Sequence, residues 1–158
     1  MELRVTKNGT PSLRKITPYV FEMLQDIVKH ASSDHPLAEG RFYPDPTTSD
    51  ELLIEDWKGL VQPELQAIFQ SSRDVVQADL RRAVNRNELL SCDIPLHHVN
   101  DWLNALNQAR LALAAEHQLT DAEMASDISP TQSQERAAVL IKMHCYAYLQ
   151  EWLIRQTE

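Results

Sequence analysis

A metal site is the first chemistry that the sequence suggests, because His97, His98 and Asp101 lie within about one helical turn of each other. On a helix, His97 and Asp101 are at positions i and i+4 and therefore share a face. A zinc site needs about three or four protein ligands. Neither His117 nor His144 stands at a recognisable ligand spacing from this group. We therefore predict no metal site and interpret the group as solvated or helix-capping.

Catalytic and cofactor motifs are absent from the sequence. It contains no G-x-S-x-G nucleophile elbow, no H-E-x-x-H zinc motif and no G-x-x-x-x-G-K phosphate loop. Cys145 directly follows His144, but neighbouring residues on a helix point about 100° apart and do not form a nucleophile–base pair. We interpret Cys145 as a small core residue. The sequence thus predicts no catalytic residue and no cofactor.

A polar strip is the feature that most needs a partner. Asn104, Asn107 and Arg110 are spaced by three along a predicted helix that also carries Trp102 and Leu106. An arginine beside an apolar stripe requires a carboxylate or several carbonyl oxygens to offset its lost hydration. The simpler interpretation is a structural knot that ties this helix to a loop or to the last helix. The alternative is that the strip contacts a ligand or a partner.

A pocket under the loop of residues 31–48 is a further possibility. Arg41, Tyr43, Arg110 and His144 would then converge on an anionic ligand, and the protein would be an enzyme or a small-ligand binder. The two interpretations differ in what Arg110 contacts. A protein carboxylate on Arg110 favours the structural knot, whereas an open pocket favours the ligand.

The elements that position these residues are predicted to be mainly helices. The chain has 158 residues, 43% of them hydrophobic, and only 3 glycines, which suits a single domain built from helix formers such as Leu, Ala, Gln and Glu. Asn8-Gly9 stands between two short alternating runs and predicts a β-hairpin over residues 1–16. We predict an all-α fold, a compact bundle of four to five helices with a small N-terminal β-hairpin, in one domain spanning residues 1–158.

Start signals divide the remainder of the chain. The beginning of a helix is predicted at Thr17-Pro18, Ser49, Asp93-Ile94-Pro95 and Ser129-Pro130. The sequence Thr120-Asp-Ala-Glu123 matches a capping box and predicts one short helical turn. Pro63 is expected to restart a helix that continues to about Val84. The segment 31–48 contains three prolines and is predicted to be a loop. Two apolar stripes are expected to face the core: Leu52, Leu53, Trp57, Leu60 and Val61 after Ser49, and Ala138, Ile141, Cys145, Tyr148, Leu149 and Trp152 in the last helix.

Charge argues against a nucleic-acid partner. The net charge is −8, and an acidic surface repels phosphate backbones. A nucleic-acid regulator would have to use the hairpin and the basic group Arg81, Arg82 and Arg86. Cations at the end of a predicted helix are explained more simply by the helix dipole.

The same composition bears on location. No segment approaches about 18 uninterrupted apolar residues, so no membrane span is predicted. Two cysteines without metal or disulfide patterning suggest a reducing compartment. We expect a cytoplasmic protein.

Three segments resemble one bacterial family. The first segment, DWLNALNQARLALAAEHQLT, is similar to the motif W-L-x-x-L-N-x-x-R-L-x-L followed by a polar turn. The second, RFYPDPTTSDELLIEDWKGLV, is similar to an arginine-aromatic-proline loop before an acidic helix. The third, YAYLQEWLIRQ, is similar to a closing helix. These are features of the domain of unknown function DUF2017. The chain departs from the family pattern at Gln108, where Asp is usual, and at Ala114, where Gly is frequent. The resemblance implies a compact helical fold without an assigned activity. It also implies a proteostasis or regulatory setting, because genes of the family often lie near the gene for an adaptor of the Clp protease.

The leading functional hypothesis is a non-enzymatic protein-interaction or regulatory module with an unknown protein partner. Trp57, Trp102 and Trp152 are candidate anchors if they are partly exposed, because aromatic side chains are favoured at interfaces. The simpler interpretation places all three in the core. A homodimer through an apolar face of the last helix is a second possible assembly.

Overall fold

A four-stranded antiparallel sheet corrects the predicted all-α fold class. The computed structural model describes residues 1–157, and its sheet has the strand order β1-β2-β4-β3. The fold is therefore a mixed one, in which a group of helices packs beside an antiparallel sheet. The four strands are β1 (Glu2–Val5), β2 (Pro11–Ile16), β3 (Val84–Arg86) and β4 (Leu89–Asp93).

Two hairpins build this sheet, and only the first was predicted. β1 pairs with β2 across the Asn8-Gly9 turn, in which Gly9 has a φ of 79°. β3 and β4 are joined by Asn87 and Glu88, whose φ angles are 53° and 65°. Consecutive left-handed residues suit a tight hairpin, but Glu is an unusual residue there and the turn carries no glycine. The second hairpin was therefore mistaken for the end of a helix.

The hairpins meet through pairing that is remote in sequence. Leu13 of β2 lies opposite Cys92 of β4, and Ile16 lies opposite Leu90, with an irregular register between them. Leu13 and Ile16 are completely buried, so the sheet contributes directly to the core. Pairing between segments almost eighty residues apart has no local signal in a single sequence.

Some helices begin at their predicted capping residues, whereas the α-helices expected at Asp93-Ile94-Pro95 and Ser129-Pro130 begin later, at Val99 and Gln134. The Thr17 hydroxyl accepts a hydrogen bond from the Val20 N–H, and Thr120 forms a capping box with Glu123. The predicted loop contains a helix that starts at Pro36. The seven α-helices within residues 1–157 are α1 (Pro18–Ala31), α2 (Pro36–Phe42), α3 (Glu51–Asp56), α4 (Gln62–Arg81), α5 (Val99–Glu116), α6 (Asp121–Ala125) and α7 (Gln134–Ile154).

Helix α5 is the central element of the core. It packs against α1, α2, α4 and α7, and Trp102, Leu106 and Leu113 on it are buried. The α7 stripe was predicted in part: Leu149 is buried and Cys145 and Trp152 pack against the core, but Ile141 and Tyr148 are exposed. The residues of α7 that are buried are Val139, Leu140, Met143, Tyr146, Leu149 and Leu153. Within residues 1–157, no helix has the length and apolar character that crossing a membrane requires.

Candidate functional site

A long helical segment extends from the core with an exposed apolar surface. α3, a π-helical turn at Trp57–Val61 and the first part of α4 follow each other without a break. We call residues 51–68 the helical arm. None of its residues is buried. The prediction that the stripe after Ser49 faces the core was therefore wrong, since Trp57 is only partly buried and the other four residues are exposed: Leu52, Leu53, Leu60 and Val61.

Pro63 explains the π-helical turn. In a regular α-helix a proline ring collides with the carbonyl four residues earlier, which here belongs to Gly59, and the missing N–H removes a hydrogen bond. The N–H of Gln62 donates instead to the carbonyl of Trp57, five residues back. The wider turn lets the helix continue past the proline, and such turns are frequent at functional sites.

Large apolar side chains run along the helical arm. Leu53, Trp57, Leu60 and Val61 recur at intervals of one, three or four residues along the arm, through the π-helical turn. Leu60 is 71% exposed and Ile68 is 52% exposed. A contiguous exposed apolar stripe on a protein surface commonly marks an interaction site.

Carboxylates accompany this stripe. Five acidic residues stand between residues 50 and 64, against Lys58 as the single cation. Lys58 Nζ lies 3.6 Å from Asp45 Oδ1, which further reduces the free positive charge. The helical arm therefore combines exposed apolar side chains with a strong negative charge. The five acidic residues are Asp50, Glu51, Glu55, Asp56 and Glu64.

Apart from the ion pair of Lys58 with Asp45, the contacts that anchor the helical arm lie near its base. The Phe69 ring, just beyond the arm, lies 5.9 Å from the Tyr43 ring between centroids. Further along α4, Arg73 Nη1 donates to the carbonyl of Ala31 at 3.2 Å, and Ser72 Oγ donates to Asp101 Oδ1 at 2.8 Å. These contacts hold α4 on the core, whereas the preceding turns are exposed or only partly buried.

Arg110 lines a cavity of about 240 Å³, which lies apart from the helical arm. Its Nη1 donates to Gln150 Oε1 at 2.6 Å, while its Nε is buried without a hydrogen-bond partner among residues 1–157. Arg110 forms no ion pair with any carboxylate of that range. Burial lowers the pKa of the Arg110 guanidinium because it disfavours the charged form.

The candidate residues do not all converge on this cavity. Arg41 and Asn107 line it together with Arg110. The side chain of Tyr43 borders two other recesses. Asn104 Nδ2 donates to Ser72 Oγ at 3.2 Å, which makes Asn104 part of the α4–α5 contact.

His144 stands beside the cavity rather than among its lining residues. Its Nε2 is 3.3 Å from the carbonyl of Met124, and Met124 lines the cavity. The site that the sequence suggested under the loop therefore lies between α2, α5, α6 and α7, with a smaller set of side chains.

A buried carboxylate was missed by sequence reasoning. The Asp79 side chain is 1% exposed and accepts hydrogen bonds from Trp102 Nε1 and His98 Nδ1, each at 3.0 Å. The cluster joins α4 to α5. Burial and the nearby charge of Asp79 also raise the pKa of the Cys92 thiol to about 12. An aspartate near the end of a charged helix carries no sequence signal that distinguishes it from a solvated one.

The histidine group does not form a metal centre. Asp101 accepts its hydrogen bond from Ser72, and the rings of His97 and His98 contact each other edge-on with centroids 4.2 Å apart. Among residues 1–157, no three His, Cys, Asp or Glu side chains are grouped so as to hold a metal ion.

One known protein family matches nearly the whole chain. The family model described as Domain of unknown function (DUF2017) matches residues 11–157. The chain belongs to the DUF2017 family. The match confirms the resemblance drawn from the motifs, and its range includes the helical arm, the Arg110 cavity and the Asp79 cluster. No curated protein and no solved structure matches this DUF2017 chain.

Proposed function

We propose that the protein is a non-enzymatic interaction module that uses the helical arm to bind a partner protein. The observation that carries the proposal is the unburied apolar stripe of the arm, in which Leu60 is 71% exposed. A helix that protrudes with an apolar face suits the helix-in-groove mode, in which side chains at successive turns enter an apolar groove. Trp57 and Leu60 are the expected anchors, since large side chains near the centre of an interface contribute most to binding.

Charge defines the chemistry of the partner. Glu55 and Asp56 stand beside the stripe, and the arm carries few compensating cations. A complementary surface is an apolar groove bordered by Lys and Arg, because such borders speed association and discriminate against acidic partners. The proposed partner is therefore a protein with a basic-rimmed apolar groove.

A second copy of the chain is a poorer occupant of the arm. Two arms packed along their apolar side chains would bring their carboxylates together, and like charges at close range are unfavourable.

We also propose a cytoplasmic location. Cys92 and Cys145 are both free thiols, and free thiols are typical of a reducing compartment.

Site-specific photocrosslinking tests this proposal. A photoreactive phenylalanine analogue at position 60 should crosslink to one partner in the cells that produce the protein, and mass spectrometry should place the link in an apolar segment rich in Lys and Arg. The same analogue at Tyr148, which is 62% exposed on α7, is the matched control and should not give that product.

A charge-reversal variant sharpens the result. Glu55→Lys combined with Asp56→Lys should lower the crosslinking yield from position 60 while leaving the fold intact, since both side chains are exposed. Crosslinks from position 60 to a second copy alone, equal products from positions 60 and 148, or no product would each contradict the proposal.

A further inference from the structure

The cavity around Arg110 lies outside the helical arm and has the features of a ligand site. We propose that it binds a small organic monocarboxylate with an apolar body, with Arg110 as the charge partner of the carboxylate. The proposal rests on the unpaired charge of Arg110, on a second arginine at the same cavity and on the apolar character of the remaining wall.

The electrostatic argument starts from a cation whose only side-chain partner is neutral. The sole side-chain hydrogen bond of Arg110 within residues 1–157 goes to the uncharged Gln150. A half-buried guanidinium without a counter-charge is unfavourable. Arg41 also lines the cavity, and although Asp121 does too, it forms no ion pair with either arginine. The cavity therefore carries a net positive charge that a single anion neutralises.

The wall and the volume define the remainder of the ligand. The apolar side chains that line the cavity suit an aliphatic ligand body and offer no hydrogen bond to a fully hydrated oxyanion. They are Leu111, Ala114, Leu119, Met124 and Met143. A volume of about 240 Å³ holds roughly eight water-sized groups at about 30 Å³ each. A carboxylate with a short aliphatic chain has this size.

The roof of the cavity is held in place by an ion pair. Arg136 Nη2 lies 2.8 Å from Glu123 Oε2 and its Nη1 donates to the carbonyl of His117 at 2.5 Å. These bonds fix the short helix α6, which carries Met124, against α7. The cavity is thus formed in the folded protein before a ligand arrives.

Calorimetric titration with defined probes tests the site. Hexanoate, the neutral isostere hexanamide and inorganic phosphate are titrated into the full chain at constant ionic strength. We expect hexanoate to bind at least tenfold more tightly than either of the other two, because only hexanoate combines the charge with the apolar body.

Three variants assign the binding to the cavity. Arg110→Met removes the charge at similar length, and Ala114→Leu fills the cavity while leaving Arg110 in place; each should weaken hexanoate binding at least tenfold. Arg81→Gln, a change at an exposed position on α4, should leave it unaltered. Thermal unfolding verifies that every variant is folded, and the two cavity variants test the site independently.

Each part of the proposal has a result that would contradict it. Equal binding of hexanamide, or undiminished hexanoate binding by folded Arg110→Met, would overturn the role of the charge. Tighter binding of phosphate than of hexanoate would overturn the ligand class. No binding of hexanoate to the wild type would overturn the site itself.

Discussion

The free energy of unfolding should respond differently when one leucine on the helical arm and one in the core are truncated to alanine. Leu60 is 71% exposed and Leu106 is 0% exposed. Fully burying a leucine contributes about 1.5–3 kcal/mol, and folding hides less than a third of Leu60, so Leu60→Ala should cost less than about 1 kcal/mol. Leu106→Ala leaves a cavity in the core beside α5 and should lower the free energy of unfolding by about 2–5 kcal/mol.

Urea denaturation of both variants measures this difference. For a chain of this length, about 1 kcal/mol corresponds to roughly 2–4 °C in Tm, so thermal unfolding gives a second reading of the same contrast. The slope of unfolding free energy against urea should stay constant for Leu60→Ala. A loss of about 2 kcal/mol or more in Leu60→Ala would refute the assignment of the helical arm as a free surface.

Three further predictions concern the core and the roof of the cavity. Asp79→Ala should lower the free energy of unfolding by about 3 kcal/mol in urea denaturation, because Trp102 Nε1 loses its buried acceptor; a loss below about 1 kcal/mol would contradict this. Hydrogen bonds from Arg136 hold the pKa of Glu123 at about 2, below its ordinary 4.5, so ionised Glu123 adds stability above pH 4.5 that is lost as the pH falls toward 2. Glu123→Gln should therefore flatten the calorimetric stability profile in that window, and an unchanged profile would count against the pair. Gln108→Met should raise Tm, because the buried Gln108 amide has no partner within residues 1–157; a lower Tm would show that the amide is satisfied.

Local signals predicted the parts of the fold that are specified locally. Thr17 and Pro18 begin α1, Thr120 forms its capping box, and Asn8-Gly9 forms the first hairpin. Each of these features depends on residues a few positions apart. The β2–β4 pairing depends on segments distant in the chain, and it was therefore missed together with the sheet.

The helical arm shows a second limit of sequence reasoning. Its apolar periodicity was taken as evidence of burial, but periodicity indicates only that one face is apolar, not what covers it. Leu52, Leu53, Leu60 and Val61 satisfy the pattern and are still exposed, and Trp57 is only partly buried. The same ambiguity applies to any amphipathic helix whose partner is a different protein.

The candidate site was predicted in part. Arg110 beside an apolar helix face was identified as a residue in need of a partner, and the cavity does bring Arg41 and Asn107 to it. Tyr43 and Asn104 lie elsewhere because the loop of residues 31–48 contains a helix that redirects the first, and the contact between α4 and α5 engages the second.

The most direct test of the interaction surface is the affinity of the crosslinked partner, purified and titrated against wild type and Leu60→Asp at low and at high salt. We expect Leu60→Asp to weaken binding at least tenfold with unchanged folding, and salt to weaken wild-type binding because the partner surface is basic. Equal affinities for the two proteins would contradict the proposal that the apolar stripe of the helical arm is the binding surface.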